Sequence, residues 1–348
     1  MSSFARKVIS WQQRSGRHGL PWQGTRDPYR IWLSEIMLQQ TQVAAVIPYY
    51  ERFLSRFPDI DALAAAGADE VMQLWAGLGY YARARNLHRA AKMVVECHQG
   101  RFPRTNEEIR ALPGIGRSTA AAIGAFAYGD RLPILDGNVK RVFARHFGVA
   151  GDVKSRAVEE RLWTLAENAL PRSGVEAYTQ GLMDLGATIC SRTRPACESC
   201  PLRNSCVAFV EGRTAMLPEK SARKELPHRQ TRLLVLLSQH EVLLERRPAA
   251  GIWGGLWCLP EATLEEDIDL LLSSRYGLTR QSTRELDRVE HAFTHYSLSI
   301  FPVEVTVRRS TSRVMEPGLI WLGMNEAEGA AIPAPVKRIL QTQVRLPA

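Results

Sequence analysis

Four cysteines, Cys190, Cys197, Cys200 and Cys206, stand with six, two and five residues between them, while Cys97 and Cys258 lie far away and alone. Thiols this dense suit a disulfide staple, a tetrahedral zinc site or an iron–sulfur ligand set. Two carboxylates could do a different chemistry. At helical spacing Glu35 shares a face with Ile31, Trp32 and Leu38, which makes it a carboxyl in an apolar stripe. Such surroundings favour the neutral form, as a general acid requires, although a salt-bridged or helix-edge glutamate fits the spacing equally well. Asp136 stands before Gly137-Asn138 at a helix start, where an aspartate is an ordinary N-cap and can also do chemistry.

The elements that must position these groups are legible in outline. Leu112-Pro113-Gly114-Ile115-Gly116-Arg117-Ser118-Thr119 has the form of two helices joined by a hairpin. Its glycines permit a tight turn, and amides at the start of the second helix can face a phosphate. An ordinary interhelical turn is the alternative on spacing alone. From Phe4 to about Arg213 apolar residues recur at three- and four-residue intervals, which predicts an all-α part. Asp27-Pro28 opens one helix, Thr105 and Glu108 form a capping-box pair for another, and an Ala-rich helix runs from Arg117 to about Tyr128, stopped by Gly129. Between Arg213 and Arg232, Lys220, Arg223, Lys224 and Arg229 with Pro218 and Pro227 read as an extended linker. Beyond it Leu233–Leu237, Val242–Leu244 and Leu298–Val305 read as strands, with helices near Glu265–Ser274 and Val336–Val344. The expected architecture is multidomain: an all-α domain over 1–213, a linker over 214–231 and an α+β domain over 232–348.

Composition sets the setting. Of 348 residues, 45% are hydrophobic and 23% charged, which is globular rather than disordered or membranous. The net charge of +9 favours polyanionic partners, nucleic acid first. Neither a signal-peptide h-region nor a spanning apolar stretch is seen, so a cytoplasmic protein with no membrane partner is expected, in which thiols stay reduced. The disulfide reading of the cysteines therefore loses most of its weight.

The hairpin, an aspartate about twenty residues after it and the cysteine spacing together resemble the helix–hairpin–helix DNA glycosylases of the endonuclease III superfamily. Leu20-Pro21-Trp22, the run from Pro28 to Val43 and Gly77-Leu78-Gly79-Tyr80-Tyr81-Ala82-Arg83-Ala84-Arg85-Asn86-Leu87 are very similar to the MutY-type adenine DNA glycosylases. The resemblance runs nearly end to end. It implies base excision repair, with one [4Fe–4S] cluster on Cys190, Cys197, Cys200 and Cys206; zinc is chemically possible on the same ligands. The family's bifunctional lyases carry a lysine two residues after the second hairpin glycine, where this chain has Ser118, so hydrolysis without dedicated strand cleavage is expected. Glu35 is then the acid that protonates adenine and the base that activates water, and ionised Asp136 opposes the charge of an oxocarbenium-like sugar, electrostatically or as a transient nucleophile.

By the same resemblance Trp22 and Gln180 contact the extruded adenine, with Ser118 in the substrate site, and Gln40 and Tyr81 wedge into the stack left behind. Gly114, Gly116 and Lys140 meet the DNA backbone. Arg192, Arg194 and Arg203 among the cluster ligands either touch it too or form a solvated loop. The implied partner is double-stranded DNA carrying adenine opposite 8-oxoguanine or guanine, bound by a monomer associated with the nucleoid. Gly251-Ile252-Trp253-Gly254-Gly255-Leu256-Trp257-Cys258-Leu259-Pro260-Glu261 looks like the entry to a Nudix fold. The Arg-Glu pair and the two adjacent glutamates a Nudix hydrolase needs are replaced by Asp269, Leu270, Ser273 and Ser274, so the fold is expected without the hydrolase. In the glycosylase family this domain inspects 8-oxoguanine through a Phe-Ser-His loop, which here is Phe293-Thr294-His295. Competing readings are a pyrimidine glycosylase/lyase, disfavoured by Ser118, a non-catalytic lesion sensor, disfavoured by Glu35 and Asp136, and a nucleotide pyrophosphatase, disfavoured by the missing glutamates.

Overall fold

The computed structural model of the chain describes residues 2–219, 226–248, 251–293, 295–309 and 317–342. Lys220, Arg223 and Lys224 of the expected linker, Val344 and Thr294 lie outside the described residues. The chain forms two compact units. One takes the residues up to Ala66 and from Asn86 to the linker; the other takes Gly67–Arg85 together with the described residues from 226 onward. The division by contact is thus not purely sequential, because one helix and the loop after it join the later unit.

The first unit is helical, and local signals start its helices. Asp27 accepts the Tyr29 N–H and Pro28 opens the helix Pro28–Leu38. Thr105 and Glu108 close a reciprocal capping box on Asn106–Ala111. The Pro28–Leu38 helix is buried nearly all round, with Ile31, Trp32, Leu33, Ile36 and Met37 in the core. A second core gathers Phe4, Val8 and Trp11 of Ser3–Ser15, Val139, Val142 and Phe143 of Gly137–His146, and Leu182 and Leu185 near the end of Val175–Asp184. Replacing one of the larger side chains there with alanine would cost roughly 2–5 kcal/mol. The Ala-rich helix runs Arg117–Ile123 and continues as a π-turn over Gly124–Tyr128, which Gly129 ends in the left-handed conformation.

Among the described residues the second unit centres on an eight-stranded sheet. Its strands are β1 (His228–Ser238), β2 (Glu241–Arg246), β3 (Trp257–Cys258), β4 (Glu261–Ala262), β5 (Leu278–Glu285), β6 (Val289–Ala292), β7 (Ser297–Arg309) and β8 (Leu319–Gly323). β1 and β7 pair in parallel at the centre, from His228 opposite Ser297 to Leu237 opposite Thr306, and every other pairing is antiparallel. Alternate residues of β1 feed two cores: Leu233, Val235 and Leu237 one side, Leu234 and Leu236 the other. A strand buried on both faces reads as a continuous apolar run, which is why this one was visible in the sequence. β1 begins at His228, inside the stretch expected to be linker, because its first residues pair with β7 while their side chains stay exposed. The helix expected near Glu265–Ser274 is Ile268–Leu271 followed by a π-turn to Tyr276, and the one expected near Val336–Val344 is, among the described residues, Ala334–Thr342.

Candidate active site

A cleft of about 650 Å³ opens in the helical unit, lined by Trp22, Glu35 and Gln180 among others. Trp22 is nearly buried and meets Tyr50 edge to face at 5.3 Å. Glu35 comes from the buried Pro28–Leu38 helix, and among the described residues its carboxyl has no hydrogen bond or ion pair. Loss of water, and then the nearby charge of Asp136, push Glu35 up to about 8. A carboxyl held this way is a proton donor at neutral pH.

Asp136 is the N-cap of Gly137–His146. Its Oδ1 accepts the N–H groups of Asn138 (2.8 Å) and Val139 (2.7 Å), which leaves Oδ2 uncommitted. Burial raises Asp136, and the two N–H donors with Arg141 and Lys140 oppose that rise. Glu35 has no donor to offset the loss of water, whereas Asp136, although raised by burial, has two backbone N–H donors that favour its charged form. Cap and charged group coexist on one residue.

The helix that carries Asp136 is braced from the cysteine loop. Arg141 donates from Nε to the Cys190 carbonyl (2.7 Å) and from Nη2 to the Gly186 carbonyl (2.6 Å) and Asn138 Oδ1 (2.8 Å). Gly186 is packed against Asn138 so closely that a Cβ there would stand 2.6 Å from Asn138 Cβ. The Ser118 hydroxyl accepts the Leu135 N–H (2.9 Å), so this side chain holds the residue before the carboxylate. In the hairpin, Gly114 has φ +82 and an added Cβ would meet Asn86 Cβ at 2.9 Å, while Gly116 faces open space. Gln39 Nε2 reaches the Gly114 carbonyl at 3.4 Å, linking the Glu35 helix to the hairpin.

Some contributors were not visible in the sequence. Asp184 is fully buried and accepts Arg17 N–H (2.9 Å), Arg17 Nε (2.6 Å) and Gln180 Nε2 (2.9 Å). The i, i+4 spacing of Gln180 and Asp184 was the available signal, but Arg17 comes from the other end of the unit. Of the two adjacent tyrosines it is Tyr80, not Tyr81, that stands out, 47% exposed and at φ +50. Tyr81 is half-buried and its hydroxyl accepts the Gly77 N–H (3.3 Å). Gln40 is exposed in the same left-handed conformation, φ +58, which non-glycine residues rarely adopt. Lys140 is held by Glu159 at 2.8 Å, and Arg203 by Glu198 at 2.7 Å, whereas Arg192 and Arg194 are exposed.

Cys190, Cys197, Cys200 and Cys206 all line one apolar cavity. Among the described residues no three His, Cys, Asp or Glu side chains stand close enough together to hold a single metal ion. Burial pushes the Cys200 thiol up to about 11, so gathered thiolates require cationic compensation. The donors are in place: backbone N–H groups of Leu202 toward Cys200 and of Ala208 and Phe209 toward Cys206, and the Arg145 guanidinium on Cys190 Sγ at 3.3 Å. Arg145, 3% exposed, also donates to the carbonyls of Ser191, Arg192 and Leu217. Three of the four thiols thus have donors that would offset the charge of a thiolate.

In the sheet unit, Phe293 stacks on Tyr296 (4.6 Å between centroids) and packs near His291 and Trp253, while His295 is exposed. The single Nudix-type carboxylate, Glu261, is neutralised by Arg247 and accepts the Thr231 hydroxyl. Asp269 pairs with Arg280, and Ser273 and Ser274 bond back to their own helix.

This arrangement meets its relatives at every level. Residues 33–168 match the family described as HhH-GPD superfamily base excision DNA repair protein, and residues 232–342 match the NUDIX domain. A thermostable thymine-DNA glycosylase superposes with a TM-score of 0.54 at 30% identity, covering 60% of this chain and 95% of that one. Fold and hairpin thus define a helix–hairpin–helix base-excision DNA glycosylase followed in sequence by a Nudix-like domain. The chain is 34% identical over 339 residues to the adenine DNA glycosylase of Buchnera aphidicola subsp. Acyrthosiphon pisum (strain APS), 97% of each chain being covered. It is 32% identical to the adenine DNA glycosylase of Homo sapiens, over 98% of this chain and 74% of the human one. The chain belongs to the adenine DNA glycosylase family, hydrolases of base excision repair.

Proposed function

We propose that the protein removes adenine mispaired with 8-oxoguanine, and more weakly adenine opposite guanine, and that it hydrolyses the glycosidic bond without cutting the strand. The observation that carries the mechanism is the contrast of carboxyls: Glu35 raised to about 8 in the cleft, Asp136 held by two backbone donors. Adenine leaves the stack, since its bond to the sugar is out of reach within the duplex. Exposed Gln40 and Tyr80, the latter in the role the sequence suggested for Tyr81, fill the gap it leaves. In the cleft Trp22 supplies an apolar face. Gln180 has its amide N–H taken by Asp184, which turns its Oε1 into the acceptor for the exocyclic amine of adenine.

The neutral Glu35 carboxyl gives its proton to N7 of adenine. The C1′–N9 bond then breaks with its electron pair going to N9, so adenine leaves neutral and the sugar becomes an oxocarbenium ion. Asp136 opposes that charge electrostatically. Water adds to C1′ as the Glu35 carboxylate takes its proton, and the acid is restored. Ser118 cannot form an imine, and its hydroxyl is already occupied with the Leu135 N–H. Gly114 and Gly116 present the hairpin backbone to phosphate without reading sequence.

Cys190, Cys197, Cys200 and Cys206 would hold a [4Fe–4S] cluster, which when bound cross-links the loop that braces the Asp136 helix. Zinc on the same ligands is the alternative, and absorption near about 400 nm that bleaches on oxidation separates the two. The sheet unit inspects the opposite base through Phe293, Thr294 and His295. The deciding experiment incubates the protein with duplex carrying adenine opposite 8-oxoguanine and measures free adenine and strand breaks separately. Adenine release without borohydride-trappable adduct is expected; no release, or lyase-level breakage, overturns the reading.

A further inference from the structure

Gly67–Arg85 precedes the sheet unit by well over a hundred residues and yet is built into it. Three side-chain ties fasten it there. Asp69 pairs with Arg246 at the end of β2 (2.6 Å), Gln73 Nε2 donates to the Gly329 carbonyl (2.9 Å), and Arg85 Nη1 donates to the Gly254 carbonyl. The third tie differs in where it leads. Gly254 follows Trp253, whose ring lies 5.6 Å from Phe293 and 5.9 Å from His291. The Arg85 stem is fitted to the same loop, since a Cβ on Gly255 would be 3.7 Å from Arg85 Cδ.

At its other end Arg85 stands in the first turn of the helix Ala82–His98, directly after the Gly77–Tyr81 loop. Its N–H bonds the Tyr81 carbonyl at 3.2 Å, and the Arg83 N–H bonds the Tyr80 carbonyl at 2.9 Å. Arg83 and Trp75 then close the loop by donating to the Gly79 carbonyl at 3.0 and 3.1 Å. The two ends of this link, Tyr80 (φ +50) and Trp253 (φ +53), are both non-glycine residues in the left-handed region. Such strain persists only where neighbouring contacts impose it.

We propose that Arg85 is a positioning residue that couples the base-inspecting loop to the exposed tyrosine loop, through Gly254 and Trp253 to Phe293. A base that seats against Phe293 thereby fixes Trp253 and, through Arg85, the backbone that aims Tyr80. The coupling rests on the wedge and lesion roles assigned above, and it makes preference for 8-oxoguanine depend on a residue that touches neither base.

The test compares single-turnover adenine excision opposite 8-oxoguanine and opposite guanine in five proteins: the parent, Arg85→Met, Trp253→Ala, the double variant of these two, and Asp69→Asn. Arg85→Met keeps the stem against Gly255 and removes the donor. It should lower the ratio of the two rates about ten-fold, with the rate opposite guanine within about two-fold of the parent. Trp253→Ala should lower the ratio similarly, and the double variant should be no worse than either single one, the mark of a shared path. Asp69→Asn loosens the same segment without touching Trp253 and should keep the ratio. An unchanged ratio in Arg85→Met, equal losses on both substrates, or an Asp69→Asn that loses the ratio as well would each overturn the coupling while leaving the lesion reading intact. A parent with no preference for 8-oxoguanine would overturn both.

Discussion

Two carboxylates on the two units invite comparison. Glu35 in the helical unit has no cation and no hydrogen-bond donor among the described residues, and desolvation pushes it up to about 8. Glu261 in the sheet unit, on a cavity of about 440 Å³, has Arg247 and the Thr231 hydroxyl beside it. The residue type is the same and the chemistry available is opposite. An unpartnered buried carboxyl stores a proton it can donate, whereas one paired with a guanidinium ties β4 to the residue after β2. Asp136 lies between them: raised by burial, but with two backbone N–H donors on its carboxyl rather than a side-chain ion pair at contact distance.

The largest test of that contrast removes the stored proton. Glu35→Gln should lower adenine excision by about 10³-fold or more while mispair binding by gel shift is kept; turnover near the parent's would remove Glu35 from the acid role. Asp136→Asn should cost about 10²- to 10³-fold. Asparagine caps a helix as well as aspartate, so the melting temperature should stay within a few degrees. A large drop in melting temperature would mean that the cap, not the charge, explains the loss.

pH sharpens the comparison. Excision should fall as pH rises past about 8, where Glu35 ionises. The same shift affects stability: a carboxyl whose folded value is raised favours folding fully below its unfolded value near 4.5, and that contribution is lost as pH rises toward 8. Glu35→Gln should therefore melt above the parent at pH 8–9, by on the order of 1–3 kcal/mol, with the gap closing toward pH 4. A gap independent of pH would contradict the burial of this carboxyl. Stripping the cysteine site by chelation and oxidation should lower the melting temperature and slow excision together, because Arg141 ties Cys190 to the Asp136 helix. The smallest effect is expected at Glu261: Glu261→Gln should cost about 1 kcal/mol in urea unfolding and leave excision within about two-fold. A larger loss of activity would give the sheet-unit carboxylate a role the comparison denies it.

What could be read in advance follows from range. Asp136 before Gly137-Asn138, the capping box at Thr105 and Glu108, and the apolar run Leu233–Leu237 are local patterns, and local sterics and hydrogen bonding realise them as written. Glu35 was legible because helical periodicity places it on an apolar face. The resemblance put the wedge at Tyr81, whereas the positive φ at Tyr80 and the bond from Gly77 N–H to the Tyr81 hydroxyl, neither visible in the sequence, make Tyr80 the exposed ring. Asp184 was missed because its partner Arg17 is 167 residues away. The membership of Gly67–Arg85 in the sheet unit was likewise invisible, since nothing in its own spacing refers to Arg246, Gly254 or Gly329.

The sequence by itself therefore determined the helices, the hairpin, the thiol spacing and the types of the two carboxyls, all of which depend on neighbours within a few residues. Only the tertiary structure decided their states. Whether a carboxyl stays neutral, keeps its charge or is tied up by a guanidinium depends on water lost and cations gained from distant segments, and those energies exist only once the chain has folded around the group.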